Sequence, residues 1–190
     1  MLPAAAGTRY LEHVMAEVLA RSVAISIPAE VEAVFLEFRT CEFTTLARDG
    51  TPITWPMLPF WRPETGQFMT TTSIGLPDKV FNIRRDPRVS LLFSDPTGSG
   101  LDNPPTVLVQ GRAAAPDKVN TSIGAYEKEV KLVYRRQPSG AMWSSNPLLR
   151  WYFDWYFMRL EITITPTRIL WWDRGDLSAS PRVVEAADVG

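Results

Sequence analysis

At Cys41 the apolar residues of this chain stop recurring every third or fourth position and begin to recur every second one, a rhythm kept in most segments up to Trp172. Extended segments with that period bury one face each, so a sheet is predicted, and the helical residues upstream must cover it. Leu11, Val14, Met15, Val18 and Leu19 share one helical face behind Thr8, a capping residue. Val31, Val34, Phe35 and Phe38 share another behind Pro28, which suits a first helical turn.

Within the sheet region, Cys41 to Arg48 reads as a strand, Asp49-Gly50 as a hairpin turn and Ile53 to Trp61 as the partner strand. Pro52, Pro56 and Pro59 cannot donate to a ladder, so that partner is predicted at an edge or with an interrupted ladder. Arg62 to Gly66 is a turn, and strands follow at Gln67 to Thr72 and Arg88 to Ser94 around a short helix opening at Asp78-Lys79. Asp95 to Pro105 reads as a surface loop and Thr106 to Ala115 as a strand. A long helix is expected over Asp117 to Arg136, then an aromatic helical segment containing Trp151 to Phe157, then two strands, Arg159 to Thr165 and Arg168 to Trp172. Six or seven short strands with hairpin connections and interspersed helices argue for a mainly β, α+β fold: a small antiparallel barrel with peripheral helices. The expected division is a helical extension over 1–40, the barrel over 41–173 and a loosely ordered tail over 174–190.

Charge and reactive side chains narrow the chemistry. Twenty basic residues stand against 21 acidic ones, a net charge of −1, which gives no basis for a nucleic-acid binder. One cysteine and one histidine make neither an internal disulfide nor a protein-only zinc site. Arg9, Glu12 and Glu17 interrupt the first twenty residues, unlike a signal peptide, and Asp154 and Arg159 break the aromatic stretch, too short in any case for a membrane span. A cytoplasmic protein is expected. His13 lies in a helix among Glu12 and Glu17 with no nucleophile beside it, and Cys41 opens a strand with no fixed cation adjoining it. Glu127 and Glu129 are two apart on a helix and do not share a face. No catalytic side chain is assigned, so an activity here would have to be carried by a bound cofactor.

The run from Phe68 to Phe93 holds the strongest candidate site. Thr70, Thr71, Thr72 and Ser73 end a strand, a Gly/Pro loop follows, and a helix opens at Asp78-Lys79. Hydroxyls, a helix start and a lysine together suit a phosphate. The competing reading makes Lys79 a solvated residue of the first helical turn.

Thr-Thr, a loop, Lys79, Asn82-Ile83-Arg84 and Asp86-Pro87-Arg88-Val89-Ser90-Leu91-Leu92 resemble, in that order, the core of the pyridoxamine 5'-phosphate oxidase-like flavoproteins. Leu46-Ala47-Arg48-Asp49-Gly50-Thr51-Pro52 upstream and Val107-Leu108-Val109-Gln110-Gly111-Arg112-Ala113 downstream resemble that family's first hairpin and its later strand. These are FMN-binding split β-barrels, with deazaflavin-using relatives. The resemblance implies a split barrel and a homodimer that lays the flavin in a groove between subunits. It places Lys79 at the cofactor phosphate, Thr70 to Ser73 and Asn82 beside it, the strand edge of Thr54, Trp55, Pro56 and Met57 along the ring, and Thr106 where vitamin oxidases carry a glutamine. Trp55 and Phe60 stand where pyridoxamine-phosphate oxidases have an arginine and a lysine, which points away from vitamin B6 synthesis and toward the flavin or deazaflavin reductase branch. The implied function is an oxidoreductase moving hydride between FMN, or a deazaflavin coenzyme, and a small organic substrate. The alternative is a non-catalytic flavin- or haem-binding protein on the same barrel. Arg84, Arg85 and Arg88 either extend a positive track from Lys79 or complement the helix dipole and face water.

Overall fold

The computed structural model describes residues 27–121 and 158–185. The first predicted helix, His13, most of the helix expected from Asp117 and the aromatic segment 151–157 lie outside the described residues. The chain runs α1 (Ala29–Glu37), β1 (Cys41–Leu46), β2 (Pro52–Met57), β3 (Phe60–Arg62), β4 (Gln67–Ser73), α2 (Asp78–Arg85), β5 (Arg88–Phe93), β6 (Thr106–Ala114), β7 (Val119–Asn120), β8 (Arg159–Trp172) and β9 (Arg182–Glu185).

The sheet is ordered β2-β1-β5-β6-β8-β4-β3, and β7 and β9 add to β8. Each recorded strand pairing is antiparallel. It curls into a half-barrel open between β2 and β3. The prolines place β2 at an edge, as expected. The partner strand read as one run from Ile53 to Trp61 is two: β2 pairs with β1, and β3 pairs with β4 at the far end of the sheet order. The break falls at Leu58-Pro59, where proline withholds a donor and biases the residue before it. That break is the split of the barrel.

A second correction concerns the end of the chain. The two strands read at Arg159 to Thr165 and Arg168 to Trp172 are one, β8, with Pro166 inside it. Pro166 is tolerated because the β6–β8 register shifts between Gln110 and Gly111, leaving Thr167 of β8, next to the proline, as the extra residue of a bulge. Gly111 is needed there. A Cβ would collide with the Thr165 carbonyl oxygen and sit 3.1 Å from its carbon and 3.2 Å from Pro166 Cα. Beyond Gly175, β9 pairs with β8 from Arg168 to Trp171. Residues 182–185, within the expected tail, thus form a strand. Val119 and Asn120, read as helix, are extended and pair with Leu160 and Arg159. Ladder partners offered by β8 override the helical spacing there.

Helix α1 forms as its apolar spacing requires: Val31, Val34, Phe35 and Phe38 are all buried. Phe35 stands 4.8 Å edge-on from Phe68 and about 5 Å from Trp61 (5.3 Å) and Phe93 (5.2 Å), so one helix residue joins strands β3, β4 and β5 in an aromatic cluster. The Trp61 indole N–H is satisfied by Glu32, at 2.9 Å. Helix α2 buries Val80 and Ile83 and is pinned at its polar face. The Asn82 amide donates to Thr45 Oγ1 (3.0 Å), and Arg85 donates to Leu46 O (2.7 Å). These contacts fix where the first turn of α2 can lie.

Candidate functional site

Lys79 occupies that first turn and is only 6% exposed. Its Nζ lies 4.7 Å from the centre of the Trp55 ring, on the neighbouring edge strand β2. Alternation along β2 leaves Ile53, Trp55 and Met57 half-buried and Pro52, Thr54 and Pro56 exposed, which is why Trp55 reaches the lysine and Thr54 does not. Burial lowers the ammonium's pKa from the ordinary lysine value; Asp78 opposes the shift and Arg159 adds to it. A buried cation resting on an aromatic face suits an incoming anion.

The four hydroxyls of β4 do not converge. Thr70 and Thr72 point to one face, with Phe68, and Thr71 and Ser73 to the other, because side chains alternate along a strand. Thr70 Oγ1 donates to Leu58 O (3.2 Å), tying β4 to the split, and Thr72 Oγ1 donates to Leu76 O (2.9 Å) in the loop before α2. Ser73 Oγ accepts from the Gly75 amide (3.2 Å) and Thr71 Oγ1 accepts from Arg159 Nε (3.0 Å). Among the described residues no side chain caps the first turn of α2.

The other candidates separate. Asn82 holds α2 against β1 and also accepts from Arg85 Nη2 (3.0 Å), so both ends of its amide are engaged. Thr54 Oγ1 meets Thr44 Oγ1 at 2.9 Å on the outer face of the sheet. Pro56 is exposed, while Met57 packs against the core. Thr106 pairs with Trp172, whereas Thr72 pairs with Leu160, so about 40 Å of strand β8 lies between them. Within one chain Thr106 instead lines a different cleft of about 410 Å³, with Phe38, Ser94, Leu101 and Arg174. The three arginines after Lys79 are occupied: Arg84 donates to Ala115 O and Pro116 O, Arg85 to Leu46 O, and Arg88 pairs with Asp86, holding that carboxyl at about 2. Arg84 and Arg85 complement the end of α2, Arg88 opens β5, and the three do not form a track toward Lys79.

Sequence reasoning missed Arg159. It lies 88 residues from Thr71 in the chain, and only the β4–β8 register brings the two together. A basic residue opening the last long strand was the available signal, but without the register it had no address. Cys41 is 1% exposed, and burial, with Glu42 adding, pushes its thiol well above the usual range, so it offers no thiolate. Among the described residues no helix is long and apolar enough to cross a membrane, and no three His, Cys, Asp or Glu side chains group as a metal site would require.

The family described as pyridoxamine 5'-phosphate oxidase matches residues 27–173. Solved structures with a similar fold include a conserved hypothetical protein from Mycobacterium tuberculosis, 24% identical, covering 82% of this chain and 91% of that one with a TM-score of 0.52. An F420 reductase is 22% identical over 75% of this chain and 98% of its own, also at 0.52. A haem-binding protein from Mycobacterium smegmatis is 14% identical, at a TM-score of 0.50, over 85% of this chain and 60% of its own. No curated protein sequence matches this chain.

Proposed function

The chain belongs to the pyridoxamine 5'-phosphate oxidase family, and from that premise we propose that it is an oxidoreductase that binds FMN or a deazaflavin coenzyme and transfers hydride to or from a small organic substrate. The observation that carries the reading is Lys79: a cation almost wholly buried at the start of α2 and held on the Trp55 ring. Burying an ammonium that makes no salt bridge among the described residues costs stability, and an anionic ligand offsets that cost. The fold likeness to an F420 reductase supports redox chemistry on this barrel.

The bound cofactor would supply hydride acceptance and donation. This chain's own residues would bind and orient it: Lys79 at the phosphate, Trp55 and Met57 along the ring, and the open edge of β2 offering backbone groups to its polar rim. The half-buried apolar residues of β2 and the loop after it, Trp55, Met57 and Leu58, favour closure by a second copy, so the working protein is a homodimer in this reading. The test is the absorption spectrum of the purified protein, followed by titration with FMN and with the deazaflavin coenzyme while light scattering records the mass. A flavin or deazaflavin band with a dimer mass is expected. A haem band, or no saturable binding of either cofactor, would overturn the reading.

A further inference from the structure

Lys79 and the ring that lies over it are held very differently. Helix α2 is fixed on several sides: Val80 and Ile83 are buried, the Asn82 amide donates to Thr45 Oγ1, Arg84 donates to Ala115 O and Pro116 O, and Arg85 donates to Leu46 O. The helix cannot carry the lysine away without breaking these bonds. Strand β2 ends the sheet order, bonded to β1 along one edge, and its residues Pro52 and Pro56 have no N–H to give. Trp55 is half-buried on that strand, and its indole N–H makes no hydrogen bond among the described residues. Trp61 shows the contrast: its indole N–H is tied to Glu32 and its ring packs in the core. Of the two partners in the Lys79–Trp55 contact, the tryptophan is the one free to move.

Lys79 is 6% exposed, so a ligand meets its ammonium only after a neighbour gives way. We propose that Trp55 is that neighbour, a gate whose indole closes over Lys79 and turns aside to admit the cofactor. The inference rests on the cofactor reading for what is admitted, and it adds the regulation of that same site. In that reading the phosphate meets Lys79 and the ring lies along Trp55. The linker of FMN holds phosphate and ring well apart, so the indole cannot stay on the ammonium and also serve the ring. It must change rotamer, with β2 yielding at its free edge, before the anion enters. Attraction between the aromatic face and a desolvated ammonium holds the gate closed, and the charge-assisted hydrogen bonds of a phosphate replace it.

The gate can be read without any cofactor, by pulse acetylation with acetic anhydride and mass spectrometry, with the exposed Lys118 as internal standard. Burial lowers the Lys79 pKa, which by itself would speed its acetylation, so a slow reaction reports the cover. Wild-type Lys79 should react about tenfold to a thousandfold more slowly than Lys118, as expected for an open state populated at about 0.1–10%. Trp55→Ala should bring the two lysines to similar rates, and Trp55→Phe, which keeps a smaller ring, should fall between. Circular dichroism checks that each variant is folded, and Trp55→Phe carries the test if the alanine variant is not. A Lys79 as slow in the folded variants as in wild type, or as fast as Lys118 in wild type, would overturn the gate. Titration with FMN and with the deazaflavin coenzyme tests the cofactor reading separately. Cofactor binding with labelling unchanged by the substitutions sinks the gate alone; faster labelling in the variants with no binding of either cofactor sinks the cofactor reading alone.

Discussion

Gly111→Ala should be among the most damaging single methyl additions this fold can receive. The new carbon would overlap the Thr165 carbonyl oxygen and lie 3.1 Å from Thr165 C and 3.2 Å from Pro166 Cα, all backbone atoms that cannot rotate away. Ordinary contact needs about 3.4 Å or more, so β6 and β8 must part locally by several tenths of an ångström, at the bulge that accommodates Pro166. Overpacking of this kind costs about 1–3 kcal/mol and, with backbone on both sides and a ladder stretched, about 2–4 kcal/mol is expected. For a chain of this size that lowers the melting temperature by roughly 5–15 °C. Gly50→Ala is the control: its φ of +85° is strained for alanine, but no atom lies within 4 Å of the added carbon, so only about 1 kcal/mol is at stake. Thermal and urea unfolding followed by circular dichroism measures both. A Gly111→Ala protein within 0.5 kcal/mol of wild type, on the order of ordinary surface changes, would refute the argument from close approach.

Lys79→Met should make the ligand-free protein more stable while weakening cofactor binding. The lysine pKa is lowered in the folded state, so the unfolded chain binds the extra proton, and wild-type stability should rise with pH from the lowered pKa up to the ordinary value of 10.5; the variant should lack that alkaline gain in pH-dependent unfolding. Asn82→Ala strands the buried Thr45 hydroxyl and should cost about 1–3 kcal/mol of stability with little change in cofactor affinity, and a tenfold affinity loss at unchanged stability would instead make Asn82 a ligand. Cys41→Ala should leave turnover intact, and the native thiol should react with a maleimide only as fast as the protein opens; rapid labelling at neutral pH would contradict its burial.

Much of the fold is legible where one residue type has one structural use. Three prolines mark the partner of β1 as an edge, and the spacing of Val31, Val34, Phe35 and Phe38 marks the buried face of α1. What escapes is whatever depends on pairing at long range. Pro166 reads as a strand boundary until Gly111 is seen opposite it, and Leu58-Pro59 reads as one more proline in a strand until its two sides prove to pair with different neighbours. The site divides in the same way. Lys79 and the hydroxyls of β4 are close in sequence and can be read together there, though alternation splits the hydroxyls between two faces; the Lys79–Trp55 contact and the meeting of Arg159 with Thr71 depend on the fold and on the β4–β8 register.

Strand β8 also sets the order in which the protein can be made. One of its edges pairs with β6 and β7, and the other with β4 and β9, yet it leaves the ribosome after all of these except β9. Thr71 must wait 88 residues for Arg159, roughly 4 to 18 s at ordinary rates of synthesis. Until then β2, β1, β5 and β6 can form a partial sheet, while β4 carries an open ladder edge in the nascent chain. A stalled or truncated product ending before Arg159 presents two bare edges to its neighbours, and a chaperone that shields extended segments during that interval would govern how much protein reaches the native state.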